Sequence, residues 1–207
     1  IASMANERVR TLGVAFSGCT LPGASAPLFT VEKGRMEVGM GIHGEPGLRS
    51  IAAPSAHGLA QQFVTELLAD VPPVVRTIEG ARVAVILNGL GAVKYEELFV
   101  IYRSVDRLLA ERGLTIVEPE VGEMVTSFDM AGVSLSLVWL DEELERSWTA
   151  ASDTPAFRKG SVAPSNGELA ETALRRTTRV LKLGSDASRA AAAVALEALN
   201  DASRVIA

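Results

Sequence analysis

The chain predicts an α/β fold in which helices pack on a mixed sheet, and three stretches carry that expectation. ARVAVILNGLG (81–91) is a nearly continuous apolar run, as expected of a strand covered on both faces. YEELFVIYRSVDRLLAERG (95–113) sets Leu98, Ile101, Tyr102, Val105, Leu108 and Leu109 along one side of a helix, with Gly113 placed to end it. LTIVEPEVG and GVSLSLVWL then supply two further strands, so strands and helices are intermixed rather than segregated.

The other elements follow in chain order. RTLGVAFSG (10–18) reads as a strand, with Val14 and Phe16 alternating against Ala15 and Ser17. Pro22, Gly23 and Pro27 mark the loop after it. RMEVGMGI (35–42) reads as a second strand, with Met36, Val38, Met40 and Ile42 on one face. HGLAQQFVTELLAD (57–70) has helical spacing, and VPP breaks it. DEELERSW (141–148) reads as a short acidic helix. Residues 1–150 are therefore expected to form one α/β domain. A linker rich in Ser, Gly and Pro is expected over 151–166, and a helical extension over 167–207.

Bulk properties exclude several classes. The chain has 207 residues and a net charge of −5, and its Lys and Arg form no basic block, so a nucleic-acid partner is not expected. Cys19 is the sole cysteine, which rules out an internal disulfide and a cysteine-built zinc site and suits a reducing, cytoplasmic setting. The most apolar stretch, AAAAVALEAL, is interrupted by Glu197, so no membrane span is expected. The sequence opens on Ile1 without an initiator methionine and reads as a piece of a longer protein.

GMGIHGEPGLR (39–49) sets Gly39, Gly41, Gly44 and Gly47 around His43, one of only two histidines. Glycines so placed point to sharp turns or to the close approach of another molecule. The string satisfies G-x-G-x-x-G, but Glu45, Pro46 and Gly47 follow the third glycine, and the next helical pattern starts more than ten residues later. A dinucleotide fingerprint turns directly from strand into helix, so that reading fails. Three readings of His43 stay open from the residues alone. They are a hydrogen-bonded loop histidine, a metal ligand short of partners, and a neutral imidazole acting as base or nucleophile. TSFDM (126–130) reads as a turn stapled by Asp129, and NGLGA (88–92) as a turn or an anion-binding nest. His57 reads as a cap or decoration of its helix, and Cys19 as a buried side chain.

RTLGVAFSGCTLPG, MEVGMGIHGEPG, VAVILNGLGAVKYEELF and VGEMVTSFDMAGVSLSLVWLD occur in one order over residues 8 to 155. Together they closely resemble the second half of the substrate-binding unit of dihydroxyacetone kinases. The resemblance implies a compact α/β domain related to the C-terminal domain of tubulin. It also implies that His43 holds a ketone covalently, as a hemiaminal, while a terminal hydroxyl is phosphorylated. Gly41, Gly44 and Glu45 would border the substrate, which would be dihydroxyacetone or a four-carbon ketose such as erythrulose. Mg-ATP would be bound in the intact enzyme by a nucleotide domain absent here, because this chain has no D-x-D-x-x-D motif. No cofactor or metal is expected on the fragment itself, which alone should not turn over ATP. The partners implied are the missing N-terminal substrate domain and a C-terminal nucleotide domain, or else a separate phosphoprotein subunit. The family also pairs its substrate units, implying a homodimer. EALNDASRVIA resembles, more weakly, the first helix of the nucleotide domain in fused members. The family includes coactivators, so a non-catalytic binding or regulatory module of the same fold is the alternative.

Overall fold

A computed structural model of the protein describes residues 1–41, 45 and 47–160. The chain divides into two units, Ile1–Ala150 and Ala151–Ala207. In the first, α1 (Ala2–Arg8) leads into β1 (Val9–Ala15), followed by β2 (Arg35–Val38), β3 (Arg49–Ala52) and α2 (Ala56–Ala69). Next come β4 (Arg82–Gly89), α3 (Tyr95–Glu111), β5 (Thr115–Ile116) and β6 (Glu120–Gly122). The unit closes with β7 (Gly132–Trp139) and α4 (Glu142–Trp148).

Among its described residues this unit's strands form one seven-stranded sheet in the order β3-β2-β1-β7-β4-β5, with β6 also pairing β4. β5 and β6 run parallel to β4, pairing at its Arg82–Val83 and Ile86–Asn88 respectively. Glu118, at φ 41°, breaks the chain between them. The remaining pairings in this sheet are antiparallel. The sheet is thus mixed and α/β, as the sequence predicts.

The period-2 rule sorts the strands onto two faces. Val83, Val85 and Leu87 of β4, and Val133, Leu135, Leu137 and Trp139 of β7, share one buried core with Met36, Val38 and Val14. Phe63 and Leu67 of α2 and Leu98, Ile101, Val105 and Leu109 of α3 complete it from the helical side. Burying a side chain such as Phe63 contributes about 1.5–3 kcal/mol, so this cluster dominates stability.

The helix ends are satisfied locally. Ser55 caps α2 by accepting from the Gly58 amide at 3.2 Å. Asp141 caps α4 by accepting from the Glu143 and Leu144 amides; these bonds, the Leu144 one foremost, hold its carboxyl below the ordinary range. Gly113, at φ +77°, follows the end of α3. No helix among the described residues is long and apolar enough to cross a membrane.

Four features depart from the sequence reading. The single strand expected in LTIVEPEVG is split into β5 and β6 at Glu118. The strand expected over 35–42 stops at Val38. β3 and α1 were not anticipated, for a shared reason: β3 has only Ile51 better than exposed, and α1 buries no residue, so neither has a hydrophobic period. In the second unit, β8 (Ser152–Asp153) and β9 (Arg158–Lys159) form a short hairpin within the stretch expected as linker. The helices expected over 167–207 lie outside the described residues.

Candidate active site

β7 runs antiparallel between β1 and β4, so its first residues stand beside the last residues of both. Ala15 pairs with Gly132, and Gly89 pairs with Val133. The loops that follow β1 and β4 therefore meet the segment that precedes β7. FSGCT, NGLGA and TSFDMAG, separate in the chain, become one surface at that end of the sheet.

Backbone bonds lace them together. The Phe16 amide donates to the Ala131 carbonyl at 2.7 Å, Leu90 to Gly132 at 3.0 Å, Ala92 to Met130 at 3.0 Å and Ser127 to Leu90 at 2.6 Å. Buried Asn88 is bonded at both ends of its amide: its Oδ1 accepts from the Met124 and Val125 amides at 2.6 and 3.0 Å. Its Nδ2 donates to the Val125 carbonyl at 2.9 Å. Ser17 Oγ accepts from the Ala131 amide at 2.8 Å. The Asp129 carboxylate accepts from the Thr20 amide at 2.6 Å, and that bond holds its carboxyl below the usual carboxylate range.

These contacts decide the smaller motifs. TSFDM does contain a turn, closed by the Met130 amide on the Ser127 carbonyl, with Phe128 at φ +53°. Asp129, however, staples the neighbouring loop at Thr20, not its own turn. The Leu90 and Ala92 amides are already committed to β-type bonds, so NGLGA is a turn and not an anion nest. Gly91 is required there, because a Cβ would run into the Phe128 carbonyl oxygen. Cys19 is buried, with its Sγ 3.4 Å from the Ser127 carbonyl oxygen. His57 is exposed in the first turn of α2, whose cap is Ser55.

The glycine-rich stretch is the loop of the β2–β3 hairpin, since Val38 pairs with Arg49 across its base. β2 ends where it does because Gly39 takes φ +75°, a conformation that side chains oppose. Met36 and Val38 consequently point into the main core, whereas Met40 packs against a second cluster of Ala15, Cys19, Leu90 and Met130, with Phe29 and Val31. The expectation that Met36, Val38 and Met40 share one face is thereby corrected. Of the expected site residues, Gly41 and Glu45 are brought together: the Gly41 amide donates to the Glu45 carbonyl at 3.4 Å. The Glu45 carboxylate also occupies the space a Cβ on Gly41 would need. His43 and Gly44 lie outside the described residues, as does Ile42 from the expected strand.

Two clefts open at this end of the sheet. One of about 490 Å³ is apolar, lined by Phe16, Leu59, Val93, Val100, Ile101 and Val133 among others. The other, of about 320 Å³, has a polar wall of Ser17, Thr20, Thr30 and Asp129. Sequence reasoning did not reach Asn88 or the Asp129–Thr20 clamp as organisers of the surface. An amide side chain at the end of an otherwise apolar strand was the available signal for Asn88. Among the described residues no group of three or more His, Cys, Asp or Glu side chains is placed to hold a metal ion.

The chain is a Dak1 domain: that family's pattern matches residues 1–156, and the protein belongs to the family. It is 58% identical over 207 residues, the whole of this chain, to an L-erythrulose kinase of Pectobacterium atrosepticum. It is 60% identical over 161 residues, 78% of this chain, to a D-erythrulose kinase of Mycolicibacterium smegmatis. The chain spans only 35% and 27% of those two relatives' lengths. In three dimensions it is similar to the dihydroxyacetone kinase from C. freundii in complex with AMP-PNP and Mg2+, with a TM-score of 0.64 at 30% identity. That match covers 79% of this chain and 30% of the kinase chain.

Proposed function

We propose that this chain is the ketose-anchoring part of a kinase that phosphorylates a short-chain ketose, with His43 as the covalent anchor. The observation that carries the reading is the 58% identity, along all 207 residues, to an L-erythrulose kinase. A four-carbon ketose is accordingly the preferred substrate, with dihydroxyacetone the smaller competitor.

In the anchoring step the unprotonated imidazole nitrogen of His43 adds to the ketone carbon, forming the C–N bond. The π pair of the carbonyl moves to its oxygen, which takes a proton, and the other ring nitrogen releases one. A neutral hemiaminal results. Only a carbonyl compound can react in this way, so a polyol such as glycerol is rejected by chemistry and not by size. The adduct then fixes the terminal hydroxyl in place, and positioning of that kind supplies much of the rate in phosphoryl transfer. Gly41, Gly44 and Glu45 are assigned to the substrate's immediate surroundings. The tight packing of the Glu45 carboxylate on Gly41 supports a close-fitting loop there.

Residues 1–150 would be the second domain of the substrate unit, 151–166 a linker, and 167–207 a helical extension leading toward the nucleotide domain. Mg-ATP would be held by that other part of the same polypeptide, as the length of the erythrulose kinase relatives supports. The substrate units would pair as a homodimer in the cytoplasm.

The test is a coupled kinase assay on the full-length protein with D- and L-erythrulose, dihydroxyacetone and glycerol. Phosphorylation of one erythrulose enantiomer about tenfold more efficiently than dihydroxyacetone, none of glycerol, and loss of turnover in His43→Ala are expected. Full turnover by His43→Ala would reject the anchor. Ketose binding without turnover in the wild type would favour the non-catalytic, coactivator-like module.

A further inference from the structure

We infer that an exposed apolar ridge, formed by α3 and the loop before β7, is the docking surface for another part of the same polypeptide, which rests on the reading of this chain as part of a longer kinase. The docking part is expected to offer apolar side chains inside a rim of Lys and Arg.

The ridge is a cluster. Tyr95, Phe99 and Val100 of α3 and Met124, Val125 and Phe128 of the loop are each at least 42% exposed. They are six of the eleven large hydrophobic side chains exposed among the described residues, so more than half fall in two short segments. Single exposed apolar side chains are ordinary, whereas a cluster marks an interaction site. Val100 also lines the apolar cleft of about 490 Å³, which gives the ridge a recess for a partner's side chain.

The ridge is also held in place. A Cβ on Gly122 would come within 3.1 Å of the Tyr95 ring, and the Glu123 amide donates to the Tyr95 hydroxyl oxygen at 3.5 Å. Those contacts join α3 to the loop. The Tyr95 and Phe99 rings stand 6.4 Å apart, within the range of aromatic pairs. Asn88 fixes the Met124 and Val125 amides from below. Phe128 keeps φ +53°, which a bulky side chain opposes, yet its ring stays exposed. Side chains fixed in advance lose little freedom when they are covered, as an interface anchor requires.

Charge selects the occupant. Residues 94–100 and 123–129 carry Glu96, Glu97, Glu123 and Asp129 against Lys94, and Arg103 stands a turn beyond Phe99. Two copies meeting through this face would set carboxylates against carboxylates, so a second copy fits it poorly. A rim of Lys and Arg complements it. The chain spans 35% of the L-erythrulose kinase that matches all of its residues, so most of such a polypeptide lies elsewhere and is available to cover the ridge.

The experiment places the photocrosslinking residue p-benzoylphenylalanine at Phe99 and, separately, at Phe128 of the full-length protein. Products of irradiation are read by gel and by peptide mass spectrometry. Crosslinks within one chain are expected, joining the ridge to a segment outside the 207 residues that carries Lys or Arg. Glu96→Lys combined with Glu123→Lys should lower their yield about tenfold, with Glu96→Gln combined with Glu123→Gln falling between that and the parent. A covalent dimer, no crosslink at either position, or a yield indifferent to the charge reversal would overturn the assignment. Phosphorylation of erythrulose without any crosslink would overturn the docking surface and leave the kinase reading. Crosslinking without phosphorylation would support the docking surface and reject the kinase reading.

Discussion

The two hydrophobic clusters of the first unit are held by different means. The main core is formed by periodic elements, with alternate residues of β4 and β7 facing one stripe each of α2 and α3. The second cluster consists of Ala15, Cys19, Leu90 and Met130. Apart from Ala15, these residues lie in loops, and polar clamps such as Asn88 and Asp129 fix those loops. The first cluster is large and built from regular elements. The second has few apolar side chains and depends on individual hydrogen bonds. The difference is one of place: one cluster joins the sheet to its helices, and the other joins loops at one end of the sheet.

Substitutions can sharpen that separation. Phe63→Ala in the main core should cost about 3–5 kcal/mol by denaturant titration, the largest effect expected, with ketose KM unchanged. A raised KM there would erase the distinction. Asn88→Ala strands two amides and a carbonyl that the side chain now satisfies, at about 1–3 kcal/mol. Unlike Phe63→Ala it should also raise ketose KM, because it frees the segment beside Leu90.

The smallest effect is expected at Asp129 and shows in its pH dependence. The Thr20 amide lowers the folded-state pKa of Asp129 below its unfolded value. Its stabilisation is therefore present above the ordinary carboxylate pKa and is lost as pH falls through the lowered one. Melting temperatures of wild type and Asp129→Asn should differ at neutral pH and converge as pH falls through the lowered carboxyl pKa. A gap that persists in acid would mean the ionised carboxylate is not what clamps Thr20.

The same contrast explains what the sequence could disclose. α3 is legible because Leu98, Ile101, Val105 and Leu109 repeat at the helical period and are buried as that period requires. β4 is legible because a central strand needs apolar residues on both faces. The hairpin strand β3 is not, since an edge strand with mostly exposed side chains leaves no pattern. Nor is the clamp between Thr20 and Asp129, which joins residues 109 positions apart. Gly39 was legible as a turn-capable residue, but not as the point where Met40 leaves the face of Met36, because periodicity assumes an uninterrupted strand. The site motifs could be recognised as a set, while the way they interlock came only from the topology that places the β1 and β4 ends beside the start of β7.

The central claim is covalent capture of a ketone by His43, and carbon NMR tests it directly. Erythrulose labelled at the carbonyl carbon would be mixed with the full-length protein and, separately, with its His43→Ala variant. The account predicts that the label moves from a ketone to a tetrahedral-carbon position with the wild type alone. A signal that stays ketone-like in both samples, or moves in both, would contradict it.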